Sequence, residues 1–131
     1  MALRALRVAD RSRAEVDARL ERQGIDEDER RRALDKLERL GYLDDARTAG
    51  LRAARLAERG YGDAYIRAEL ERRGLPAEEA VAELEPEATR ASRLLADRGA
   101  GGSTAAWLAR RGFGEDAVEA AFASEPPGAL G

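Results

Sequence analysis

Large apolar residues recur along this chain at helical spacing, and each run closes on a glycine. Val16 and Leu20 lead to Gly24 and Ile25, Ile66 and Leu70 to Gly74 and Leu75, Thr104 and Leu108 to Gly112 and Phe113. Residues four apart share one face of an α-helix. A glycine just past such a run supplies the left-handed residue that ends a helix. Ten residues beyond each glycine stands another large apolar side chain, Leu34, Leu84 or Phe122. Each copy thus reads as helix, glycine turn, apolar anchor and helix. The copies lie 50 and 38 residues apart, a period that marks helical repeat arrays.

A further helix precedes each copy, over roughly residues 2–9, 45–59 and 86–98. The pattern predicts an all-α tandem array of three three-helix repeats, about nine helices in all. The repeats span 1–43, 44–85 and 86–124, and 125–131 forms a flexible Pro-Gly tail. Ser12 with Glu15 has capping-box spacing, Asp26 with Glu29 is an acidic analogue, and Asp63 and Ser103 are candidate N-caps. Pro76 suits a first helical turn. Tyr65, Ile66 and Leu70 are expected to face inward against Val81 and Leu84, and Trp107 and Leu108 against Val118 and Phe122. The first repeat carries an oddity. At about 100° per residue, Arg30 falls inside the sector marked by Leu34, Leu37 and Leu40, where the other copies have Ala80 and Val118.

Composition narrows the chemistry. The apolar share is mostly Ala and Leu, which favours helices and predicts a thin core. The chain has no cysteine and no histidine, so it lacks thiolate chemistry, the commonest metal ligand and the usual general base near neutral pH. No Gly-rich nucleotide loop or metal-ligand spacing replaces them; catalytic, cofactor and metal sites are expected to be absent. No apolar run approaches a membrane span, and the expected setting is cytoplasmic.

Net charge is −3 but uneven: residues 1–60 hold 15 Lys plus Arg against 13 acids, residues 61–131 hold 8 against 13. Lys36 is the only lysine. Arginine suits bidentate contacts to carboxylate or phosphate, and a coding bias toward arginine explains the excess equally well. The candidate partner-binding residues are Arg4, Arg7, Arg11, Arg19, Arg22, Arg30, Arg31, Arg32, Arg72, Arg73, Arg110 and Arg111. Arg11, Arg19 and Arg22 fall within about 80° on one helix. Arg72-Arg73 and Arg110-Arg111 sit in last helical turns, where compensation of the helix dipole is the plainer reading. Asp44-Asp45 reads as a helix cap rather than a metal site. Gly60-Tyr61-Gly62 reads as a tight turn, since a P-loop's Lys and Ser or Thr are missing.

These residues together resemble a family. Gly41-Tyr42-Leu43-Asp44-Asp45 joins the first two repeats. Gly60-Tyr61-Gly62 with Ile66, Glu69-Leu70 and Arg73-Gly74-Leu75 forms the middle one. Leu108-Ala109-Arg110-Arg111-Gly112-Phe113 lies in the third, and Arg11-Ser12 with Glu15 and Leu20 in the first. Over about residues 2–123 the chain is similar to the bacterial regulatory protein RecX. Arg30 departs from the apolar residue usual there. The resemblance implies an elongated, curved array that binds the RecA recombinase and its nucleoprotein filament. It further implies inhibition of strand exchange and coupled ATP hydrolysis; the expected oligomeric state is a monomer. A pI near 5.2 argues against tight independent DNA binding, for which domains with pI above about 9 are usual, while a weak local contact with filament DNA stays open. A helix-turn-helix-like DNA-binding module and a generic helical adaptor are the alternatives.

Overall fold

The computed structural model describes residues 11–124. Among the described residues there are eight α-helices and no strand. They are α1 (Arg13–Arg22), α2 (Glu27–Arg39), α3 (Asp45–Glu58), α4 (Asp63–Arg72), α5 (Glu78–Ala82), α6 (Glu87–Arg98), α7 (Gly102–Arg110) and α8 (Glu115–Ala123). The expected all-α array of helical repeats is what the structure shows. The predicted helix over 2–9, with Arg4 and Arg7, and the tail over 125–131 lie outside the described residues.

The repeated glycines do one job three times. Gly24, Gly74 and Gly112 have φ of 85°, 75° and 96°. In each case the next residue's amide reaches back to the last buried leucine: Ile25 to Leu20, Leu75 to Leu70, Phe113 to Leu108, at 3.2, 2.9 and 3.1 Å. This left-handed closure turns the chain so that the following apolar residue packs under the helix just ended. Helix starts follow the acidic and hydroxyl signals in part. Ser12 and Glu15 form a complete capping box, and Asp26 and Asp44 accept from the amides of Glu29 and Arg47.

Three hydrophobic cores result. The first gathers Val16, Leu20, Leu34, Leu37 and Leu43. The second is half alanine: Ala49, Ala53, Ala77 and Ala80 surround Ile66, Leu70, Leu75 and Val81. The third holds Ala91, Leu95, Leu108, Phe113 and Ala121, bordered by Trp107, Val118 and Phe122. Small side chains let α3 and α5 approach α4 closely, so a core with few large residues still closes.

Several sequence expectations are corrected. Asp63 and Ser103 are not N-caps; Gly62 and Gly101 occupy those positions, and the Asp63 carboxylate is engaged by Arg90. Pro76 precedes α5 rather than opening it, because the helix starts only at Glu78. Leu84 packs against the second core as expected, half-buried, but from just beyond the end of α5 rather than from the helix. Tyr65 does not face inward; it is 37% exposed and stacks on Tyr61. Arg11 precedes the Ser12 cap, so it shares no helix face with Arg19 and Arg22.

Candidate partner-binding surface

The three cores are joined through their middle helices, α1, α4 and α7. The C-terminal end of α7 meets the N-terminal end of α4. Gly62 and Ala64 donate their amides to the carbonyls of Arg111 (2.8 Å) and Gly112 (3.1 Å). The start of α4 has no side-chain cap, so its free N–H groups are satisfied by carbonyls that α7 leaves free. The same end-to-end arrangement recurs one step along. Ser12 Oγ donates to the Arg73 carbonyl at 2.7 Å, bringing the start of α1 to the end of α4. Positive and negative helix ends face each other at both joints.

The joint between α4 and α7 has no room for side chains at its centre. A Cβ on Gly62 would lie 2.3 Å from the Phe113 nitrogen, and one on Gly112 2.6 Å from the Tyr65 nitrogen. Side chains lock its rim. Glu87 accepts from the Asp63 amide (2.7 Å) and the Gly114 amide (3.3 Å). Arg90, buried in α6, donates to the carbonyls of Glu85 and Tyr61, each at 3.0 Å, and to the Asp63 carboxylate. Arg111 donates through Nε to the Gly60 carbonyl at 2.8 Å and through Nη2 to the Arg59 carbonyl.

These joints account for several arginines selected from the sequence. Arg73 pairs with Glu15 across one joint (3.2 Å), and Arg111 clamps the other. Arg72 pairs with Glu69. The Arg72 guanidinium, hydrogen-bonded to Glu69, holds that carboxyl below the usual carboxylate range, so Glu69 stays ionised between Arg72 and Arg73. Arg30 ties α2 to α1: Nε donates to Asp17 (2.9 Å) and Nη1 to the Ile25 carbonyl (2.8 Å). Its apolar-side position is thus used within the first helix group. Arg31 pairs with Asp28, while Arg22, Arg32 and Arg110 are exposed and Arg19 is half-buried. Asp45 leaves the capping pair and accepts from the Arg13 amide at 2.8 Å.

A different cationic surface emerges on the middle helix group. Arg52 and Arg55 of α3 and Arg59 at its C-terminal cap line a groove of about 280 Å³ together with Tyr61, Tyr65 and Arg73, and Arg52 pairs with Glu15 at 3.7 Å. Glu69 is the acidic residue lining it. Within a chain of net charge −3, this groove concentrates positive charge and aromatic surface. The spacing of these three arginines was visible in the sequence, but arginine is so frequent that the stripe did not stand out. Among the described residues no group of three His, Cys, Asp or Glu could hold a metal ion, and no helix is long and apolar enough to cross a membrane.

No protein-family model matches the chain. Individual relatives do. The chain is 36% identical to the regulatory protein RecX of Xanthomonas oryzae pv. oryzae, over 89% of this chain and 81% of that protein. It is 37% identical to the protein of that name from Xanthomonas axonopodis pv. citri, over 86% and 77% of the two chains. With the one from Stenotrophomonas maltophilia the identity is 33%, over 89% and 80%. Relatedness at this level, over nearly nine-tenths of the chain, shows that the chain belongs to the RecX family of regulatory proteins.

Proposed function

We propose that this protein binds the RecA recombinase, above all its nucleoprotein filament, and inhibits strand exchange and the coupled ATP hydrolysis. The observation that carries this reading is the family relationship along nearly the whole chain. The fold supports it. Locked joints present a continuous surface of successive helix groups, which suits a partner that itself repeats along an axis. Contacts with neighbouring recombinase subunits would then combine by avidity. We further propose that residues 1–43, 44–85 and 86–124 act as the repeats of a monomer working in the cytoplasm, and that it acts without catalysis of its own.

The helix-turn-helix alternative needs one basic recognition helix free to enter a groove. The middle helices instead have their ends engaged with one another, which favours the filament reading. Sedimentation with RecA filaments tests it. The protein is expected to pellet with filaments formed on single-stranded DNA and to remain in the supernatant with DNA alone at the same dilute concentration. Protein that stays in the supernatant with filaments present would exclude the proposal.

A further inference from the structure

The three helix groups differ in how they close the face between their second and third helices. In the first, Asp17 of α1 pairs with Arg30 of α2 at 2.9 Å. In the second, Arg67 of α4 pairs with Glu78, the first residue of α5, at 3.2 Å. Asp17, Arg67 and Ala105 are equivalent positions, each following the Val16, Ile66 or Thr104 that opens the repeated pattern. In the third group these charges are gone. Ala109 stands where the others have Glu21 and Glu71, and Val118 where the first has Arg30. The face between α7 and α8 is instead an open apolar groove of about 620 Å³, lined by Ala105, Ala109, Phe113, Val118 and Phe122. Among the described residues the charged groups lining it are Glu115 and Glu119, both exposed on α8 and neither held in an ion pair.

The chemistry of the groove selects its occupant. Ala105 and Ala109, four apart on α7, cover the backbone thinly, so another helix can lie close along it. Val118 and Phe122 are half-buried, and an apolar side chain entering the groove would remove their remaining surface from water. Two carboxylates one helical turn apart on the same edge attract cations beside that apolar contact and repel phosphate, so nucleic acid and anionic lipid have the wrong charge. A small ligand would need convergent polar groups to orient it, and the groove offers only these two at its edge. We infer that the groove between α7 and α8 receives an amphipathic helix of a partner protein, with large aliphatic side chains against Ala105, Ala109 and Phe122 and with lysines or arginines against Glu115 and Glu119. The inference concerns one helix group and does not rest on the filament reading.

The probe is a capped helical peptide of about four turns, with leucines on one face and lysines flanking them, titrated into the full chain by fluorescence anisotropy. It is expected to bind to saturation, one peptide per chain. Ala105→Arg brings in the residue that stands at the equivalent position of the second group, Arg67, and offers it Asp116, the equivalent of Glu78. This variant is expected to weaken binding at least about tenfold, by filling the groove and repelling the lysines, while unfolding within about 3 °C of the parent. Glu115→Gln combined with Glu119→Gln is expected to weaken binding about threefold and to flatten its dependence on salt. A peptide with glutamates in place of the lysines is expected to bind at least about tenfold more weakly than the lysine peptide. The glutamine pair and the glutamate peptide read the groove without touching α7. Undiminished binding by Ala105→Arg would overturn the inference, as would equal affinity for the two peptides or a parent chain that takes up neither. A parent that binds only after Leu130→Asp would assign the groove to the chain's own C-terminal segment, and a parent that sediments as a dimer while Ala105→Arg sediments as a monomer would assign it to a second copy; either result would overturn it too.

Discussion

Gly112→Ala is expected to destabilise the protein by about 3 kcal/mol, whereas the equivalent change Gly24→Ala costs about 1 kcal/mol. Both glycines close a middle helix with positive φ, 96° and 85° respectively. Both substitutions therefore carry the cost of a left-handed Cβ, about 1–2 kcal/mol. They differ in what the new methyl group meets. At Gly24 there is nothing within 4 Å, while at Gly112 the methyl falls 2.6 Å from the Tyr65 backbone nitrogen and its Cβ. Backbone cannot swing aside as a long side chain can, so the helix ends must separate, at a further cost of roughly 1–3 kcal/mol. Separation also loosens the bonds from Gly62 and Ala64 to the α7 carbonyls. Against a total stability of about 5–15 kcal/mol for a domain of this size, the loss is large. Urea unfolding of the two variants beside the parent measures it. Equal destabilisation at the two positions would mean that the helix ends do not press together in solution.

The second large effect is expected at Arg90, a residue no sequence signal singled out. Arg90→Ala is expected to cost about 3 kcal/mol, and Arg90→Lys to recover less than half of that. The Arg90 side chain is 6% exposed. It satisfies two carbonyls and the Asp63 carboxylate at once, and its ring-side neighbour is Phe113 at 5.8 Å. Truncation leaves three acceptors facing a cavity, and each buried unsatisfied group costs about 1–3 kcal/mol. Asp63 retains 28% exposure, so water relieves part of its penalty and keeps the sum near the lower end of what breaking a buried pair costs, about 3–5 kcal/mol. Lysine carries the charge without the planar fork that reaches several acceptors together. Thermal unfolding reads the difference, roughly 10 °C for Arg90→Ala. A shift under about 2 °C would show that these contacts are replaced by water without loss.

Local rules read from the chain were met where the physics is local. A left-handed glycine after an apolar run, a capping box at Ser12 and an apolar residue after each glycine are decided within a few residues, and they fixed the repeat. The joints were not legible, because they depend on which helix ends meet. Gly62 looks like a flexible turn residue until the α7 carbonyls stand 2.8 and 3.1 Å from the amides it introduces. Asp63 has the preference of a cap, yet the buried guanidinium of Arg90 is the stronger partner. Tyr65 neighbours Ile66 in sequence, but one residue is about 100° of helix rotation, so it lies off the buried Ile66–Leu70 stripe and stacks on Tyr61 instead. Arginine was too abundant to discriminate by count. Pairing with Asp17, Glu15 and Glu69 engages Arg30, Arg72 and Arg73, and Arg52 of α3, chosen by no motif, pairs with Glu15 as well.

The central claim is that this array restrains the RecA filament. The direct measurement is RecA ATP hydrolysis on single-stranded DNA, titrated with the purified protein in parallel with filament assembly. The rate is expected to fall progressively to a low plateau as the protein approaches a fixed ratio to RecA, with filament growth arrested over the same range. Hydrolysis and assembly that both stay unchanged at a large excess of the folded protein would contradict the claim.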